Sequence, residues 1–129
     1  DLACREVRKI VGDAMIIGVS THNLDQAKAA ELDGADYIGV GPVFPSKTKP
    51  RDFLPGLEYA RAASAAVNIP CVAIAGITSL NAVEVFATGL AAIAVSSAVI
   101  SQDDPRTAAE LLLQKSAPPR IGISAHARK

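Results

Sequence analysis

Four short apolar runs punctuate the chain: residues 14–20 (AMIIGVS), 36–41 (DYIGVG), 70–76 (PCVAIAG) and 92–97 (AIAVSS). Each is apolar at consecutive positions and does not alternate, the pattern of strands covered on both faces, as in a parallel sheet. Helical stretches lie between them. Asn23 is placed to cap a helix with Gln26 three positions on, and that helix is expected to run to Gly34, a residue suited to the left-handed cap. Residues 55–67 (PGLEYARAASAAV) supply the next helix. Thr78 is placed to cap another that ends near Gly89, and Asp104 followed by Pro105 starts a last helix with Ala108, Leu111 and Leu112 on one face.

With a leading helix over residues 1–11, the expected order is helix, then β-α-β-α-β-α-β-α. Parallel strands need crossover connections, so the fold class is α/β. Two architectures satisfy that order. A small doubly wound sheet usually carries a glycine-rich loop after its first strand, and GVSTHN is no GxGxxG. The other is part of a TIM (β/α)8 barrel, whose full form takes about 250 residues or somewhat fewer. Four βα units make half of one. Such a half has two open edges and an uncovered inner face. The missing strands are expected from a preceding segment of a longer chain or from a second copy. Residues 1–115 form the domain, and residues 116–129 (SAPPRIGISAHARK), where periodicity is lost, read as a flexible tail.

The chain has 129 residues, enough for one hydrophobic core. Thirteen basic side chains balance thirteen acidic ones, which leaves no net field for nucleic acid or an anionic membrane, so anion binding must be local. Cys4 and Cys71 have no metal-ligand spacing and form no disulfide framework, which points to a reduced, cytoplasmic setting. No apolar run approaches a membrane span, and the opening DLACREVRKI lacks a signal-peptide pattern.

In a barrel, ligands sit at the C-terminal ends of the strands. Those ends carry Ser20 and His22, then the segment 41–50 (GPVFPSKTKP), then Gly76 with Ile77 opening a helix, then Ser96 and Ser97. The groups are small, hydroxylated or basic, with no carboxylate among them, the composition of an anion cradle. Each has a plainer reading. Ser96 and Ser97 can simply end a strand, Gly76 can make a turn, Lys47 and Lys49 can be solvated, and His22 reads as a structural histidine bonded to its own loop. Pro42, Pro45 and Pro50 stiffen the segment and favour a positioned Lys49. The cradle reading rests on four signals falling at one end of one sheet.

The stretches GVSTH, GADYIGVGPVFPSKTK, IPCVAIAGI, AVSSAV and DDP resemble the C-terminal half of the thiamine-phosphate synthase family, over residues 1 to about 112. The resemblance implies a (β/α)8 barrel contributing strands five to eight here. It also implies a transferase that joins hydroxymethylpyrimidine diphosphate to thiazole phosphate, releasing pyrophosphate, with Mg²⁺ as cofactor. Carried over by motif, Ser20 and Lys49 would contact the diphosphate, with Lys49 the catalytic group. Ser46, Thr48, Gly76, Ser96 and Ser97 would hold the thiazole phosphate, and Asp1 would be a metal ligand. Two positions depart from the family pattern: Ser46 replaces a threonine, and Ala75 precedes Gly76 where two glycines are usual. Pro42, where the related thiazole tautomerases place histidine, argues for the synthase. The competing readings are a tautomerase-like isomerase, a phosphate-binding half-barrel that catalyses nothing, and another phosphate-binding barrel enzyme such as those of tryptophan biosynthesis, which depend on strand-end carboxylates not seen here beyond Asp1.

Overall fold

The structure is a computed structural model that describes residues 2–46 and 53–116. Its elements are α1 (Cys4–Val11), β1 (Gly18–Thr21), α2 (Leu24–Leu32), β2 (Tyr37–Val40), α3 (Gly56–Ala66), β3 (Cys71–Ile74), α4 (Ala82–Phe86), β4 (Ala92–Ala94), α5 (Ser97–Ile100) and α6 (Pro105–Lys115). The four strands form one parallel sheet in the order β1-β2-β3-β4. A doubly wound sheet reverses its strand order to place helices on both faces, and no reversal occurs here.

The register shows what each face does. Thr21, Val40, Ala73 and Ile93 lie in one row across the sheet. Thr21, Val40 and Ala73 are fully buried, in the layer where α2 packs on β1 and β2, α3 on β2 and β3, and α4 on β4. The neighbouring row is Ser20, Gly39, Val72 and Ala92, which is exposed at Ser20 and half-buried in the rest. The sheet is therefore covered on one face only, where consecutive apolar positions had implied two. Alanines make the covered side close-packed: Ala27, Ala60, Ala63 and Ala82 are all buried around Ile38, Val40 and Val85.

Local signals set the helix ends. Asn23 Oδ1 accepts the Gln26 N–H at 2.9 Å, while Gln26 Oε1 takes the His22 N–H at 2.8 Å, one residue earlier than in a capping box. The helix stops at Leu32, and Gly34 has φ +89° as expected of its position. Asp104 caps α6 by accepting the Thr107 N–H at 3.1 Å, with Pro105 in the first turn. Three boundaries differ from expectation. The first strand begins at Gly18, not at residue 14, and Met15 and Ile16 ahead of it are exposed. The fourth strand stops at Ala94, after which Ser97 opens the short α5. Thr78 acts as a cap, its Oγ1 accepting the Leu80 N–H at 3.2 Å, but a turn follows and α4 itself begins only at Ala82.

The first helix has no fully buried residue. Polar contacts hold it instead. Arg8 donates to the carbonyls of Gly12 (3.0 Å), Met15 (2.7 Å) and Gly34 (2.8 Å), and to Asp36 Oδ2 (2.7 Å). The same Asp36 oxygen accepts the Ile17 N–H at 2.7 Å, so one ion pair ties α1 to the starts of β1 and β2. Arg5 also pairs with Asp33, but its side chain is 66% exposed against 19% for Arg8, and exposed pairs contribute little. Arg8→Ala is expected to lower the unfolding free energy by about 2 kcal/mol, measured by urea denaturation. The Ile17 N–H, and after it Arg8, hold the Asp36 carboxyl below its ordinary value of 3.8. A lowered folded value stabilises fully above the ordinary one and is lost as pH falls through the lower one. The difference between wild type and variant should therefore narrow below pH 3.8. An equal difference at pH 7 and in strong acid would contradict this role for the pair.

Candidate functional site

Beyond β2 the backbone does not leave the sheet. Val43 N–H bonds the Ile74 carbonyl at 3.0 Å and Phe44 N–H the Ala75 carbonyl at 3.3 Å, so residues 43–44 run along the end of β3. Gly56 N–H bonds the Pro42 carbonyl at 3.1 Å from the start of α3. From the other side, His22 Nδ1 lies 2.7 Å from the Gly41 carbonyl. A carbonyl only accepts, so Nδ1 carries the proton. The histidine is structural as expected, but it fastens the neighbouring segment and not its own loop.

A second polar contact lies below it. Thr21 Oγ1 is 2.9 Å from the Gly39 carbonyl and 2.6 Å from the buried Tyr59 hydroxyl. The threonine proton goes to the carbonyl, so Tyr59 donates to Thr21. Burial pushes the Tyr59 hydroxyl up from its ordinary value, which keeps that donor protonated.

This close approach needs two glycines. A Cβ at Gly41 would lie 2.6 Å from the Ile74 carbonyl oxygen, and one at Gly76 would lie 2.5 Å from the Pro45 carbonyl oxygen. Between the segment and the ends of β3 and β4 is a cavity of about 440 Å³, lined by Ser46, Gly76, Ser96 and Ser97 together with Ala75 and Thr78 among others. Four of the sequence-nominated residues thus meet in one place. Ser20 does not line that cavity: it stands two strands away, on the uncovered face beside Gly39. Lys49, Thr48 and Asp1 lie outside the described residues.

One expected contribution is missing. Gly76 and Ile77 do not open a helix, since α4 starts at Ala82 and spans five residues, and α5 has only four. Helix termini therefore do not account for an anion site, and what remains are hydroxyls and backbone N–H groups. Among the described residues no group of three or more His, Cys, Asp or Glu could hold a metal ion, and none of their helices is long and apolar enough to cross a membrane. The sequence had not pointed to Thr78 as a lining residue, nor to Asn81, whose amide holds the turn behind Gly76.

Ala75 and Gly76 are both left-handed, with φ +76° and +68°. An alanine there costs about 1 kcal/mol of backbone strain, partly offset because glycine loses more freedom on folding. Ala75→Gly is therefore expected to stabilise the protein by less than about 1 kcal/mol, and Gly76→Ala to destabilise it by about 2–4 kcal/mol through the clash with Pro45. Both are read by thermal or urea unfolding, and a destabilised Ala75→Gly would contradict the strained backbone.

The family model described as thiamine monophosphate synthase matches residues 1–99. Thiamine-phosphate synthase of Chloroflexus aurantiacus is 46% identical over 113 residues, covering 87% of this chain and 52% of that protein. The Pyrococcus furiosus enzyme of the same name is 49% identical over 107 residues, covering 83% and 52%. A solved structure of thiamine phosphate pyrophosphorylase from Pyrococcus furiosus superposes with TM-score 0.81 at 41% identity, covering 90% of this chain and 55% of the other. The chain thus spans about half the length of these relatives.

Proposed function

The chain belongs to the thiamine monophosphate synthase family, and on that basis we propose that its four βα units are one half of a (β/α)8 barrel that makes thiamine phosphate. The observation that carries the reading is the meeting of Ser46, Gly76, Ser96 and Ser97 in one cavity at the C-terminal strand ends. That cavity takes the thiazole phosphate. Ser20, across the open face, and Lys49 take the diphosphate of the pyrimidine. In the reaction, the thiazole nitrogen forms a bond to the pyrimidine methylene carbon while the bond from that carbon to the diphosphate oxygen breaks, and pyrophosphate leaves with the electron pair. The protein's tasks are to hold nitrogen and carbon in line and to offset the charge growing on the leaving group. Lys49 supplies positive charge for the second task, and no general base is required.

Mg²⁺ belongs to the proposal through the family resemblance, with Asp1 as this chain's ligand. The donors gathered in the cavity are hydroxyls and amides, which suit phosphate oxygens and not a cation, so no step is assigned here to the metal. The uncovered sheet face and the open side of β1 are where the first half of the barrel packs, supplied by a preceding segment or by a second copy.

The test is formation of thiamine phosphate from the two phosphorylated halves, with and without Mg²⁺, by the longest natural chain containing this segment. Magnesium-dependent product is expected, and Lys49→Ala is expected to lower turnover at least tenfold with an unchanged unfolding midpoint. Normal turnover in that variant would remove Lys49 from the mechanism. Absence of product from the wild type would favour the phosphate-binding module that catalyses nothing.

A further inference from the structure

We propose that Asn81 is a positioning residue for the anion cavity, because it sets which way the Gly76–Ile77 peptide presents its N–H. Asn81 does not line the cavity, whereas Gly76, Ile77 and Thr78 do. Its side chain instead grips the turn from behind. Nδ2 donates to the Gly76 carbonyl at 3.0 Å, and Oδ1 accepts the Thr78 N–H at 2.8 Å. The Asn81 backbone N–H adds a third bond, to the Thr78 carbonyl at 3.2 Å.

The consequence follows from peptide geometry. Carbonyl and N–H point in opposite directions across a trans peptide. With the Gly76 oxygen drawn toward Asn81, the Ile77 N–H is turned the other way, and no described residue accepts from it. Gly76 has no Cβ and tolerates either orientation of that peptide, so the glycine that makes room for Pro45 leaves the direction undecided. The asparagine amide decides it. In the flipped state a carbonyl oxygen would face the anion, replacing an attraction by a repulsion. In a cavity whose only adjoining helix start is that of the four-residue α5, one peptide dipole is a large share of the recognition.

The inference rests on the cavity being the phosphate site proposed above. It is tested on the full-length protein with inorganic phosphate as the probe, read by the Ile77 amide shift in ¹H–¹⁵N spectra, and in parallel by activity. Asn81→Ala removes both side-chain bonds. Asn81→Asp keeps the acceptor for Thr78 N–H but loses the donor to the Gly76 carbonyl, so it retains the turn if the alanine variant fails to fold. Phosphate binding at least tenfold weaker is expected in both variants. In the alanine variant the preference for the phosphorylated over the unphosphorylated thiazole should fall by a similar factor, with KM for the pyrimidine diphosphate unchanged. A residue that only supports the fold would lower the rates with both thiazoles alike and leave their ratio intact. Unchanged phosphate affinity in a folded variant would overturn the proposal, as would a wild type that binds no phosphate at Ile77. Phosphate binding that depends on Asn81 in a protein without synthase activity would sink the proposed reaction and leave this inference standing.

Discussion

The site depends on one close backbone approach, that of the segment after β2 to the end of β3. Parallel strands are held together by slanted hydrogen bonds that normally stop where the strands diverge. Here Val43 and Phe44 continue the pairing onto Ile74 and Ala75, and the continuation is possible because Gly41 and Gly76 leave no atom in the way. Ser46 is thereby carried over to Gly76 and to the end of β4, although it follows β2 in the chain. Pro45 and Ser46 form one wall of the cavity, and the segment that carries them is fastened through residues 41–44 by five bonds, to Thr21, His22, Ile74, Ala75 and Gly56.

The same approach explains the distribution of polar side chains around it. Backbone groups that close a sheet end must find partners, since burying them unpaired is costly. His22 takes the Gly41 carbonyl, Thr21 with Tyr59 takes that of Gly39, and Asn81 takes that of Gly76. Each is contributed by a different part of the chain from the group it satisfies, except Asn81, which lies five residues on. No buried side-chain nitrogen or oxygen among the described residues is left without a partner.

What was legible in the sequence was what local chemistry decides. Asn23, Gly34 and the Asp104-Pro105 pair mark helix ends through bonds made within a few residues, and all three do so in the structure. The gathering of Ser46, Gly76, Ser96 and Ser97 was legible because parallel strands all end on the same side. Strand lengths were less so: an apolar run continues wherever a surface is apolar, but a strand requires a partner, and the pairing of β1 with β2 begins only at Gly18 and Tyr37. The turn after Gly76 was legible in part. Thr78 Oγ1 does accept the Leu80 N–H as a cap does, but Asn81 reaches back to the Thr78 N–H and the Gly76 carbonyl, contacts that spacing alone does not show, and the regular helix begins only at Ala82.

Not all glycines at this end of the sheet serve the fold. A Cβ at Gly39 would meet its nearest neighbours, in Ser20 and Ile74, at 3.7–3.8 Å, an ordinary contact, so neither crowding nor a left-handed backbone demands glycine there. What its absence of side chain does is keep the row from Ser20 to Ala92 low, with only Val72 rising between them. Ile74 stands on the same side of the sheet, with Cδ1 3.8 Å from where a Gly39 Cβ would lie, so Val72 and Ile74 together bound the low strip beside Ser20. With thirteen charges of each sign, the chain has no net charge to draw an anion from a distance, so any anion site on it rests on short-range donors held in place by the sheet.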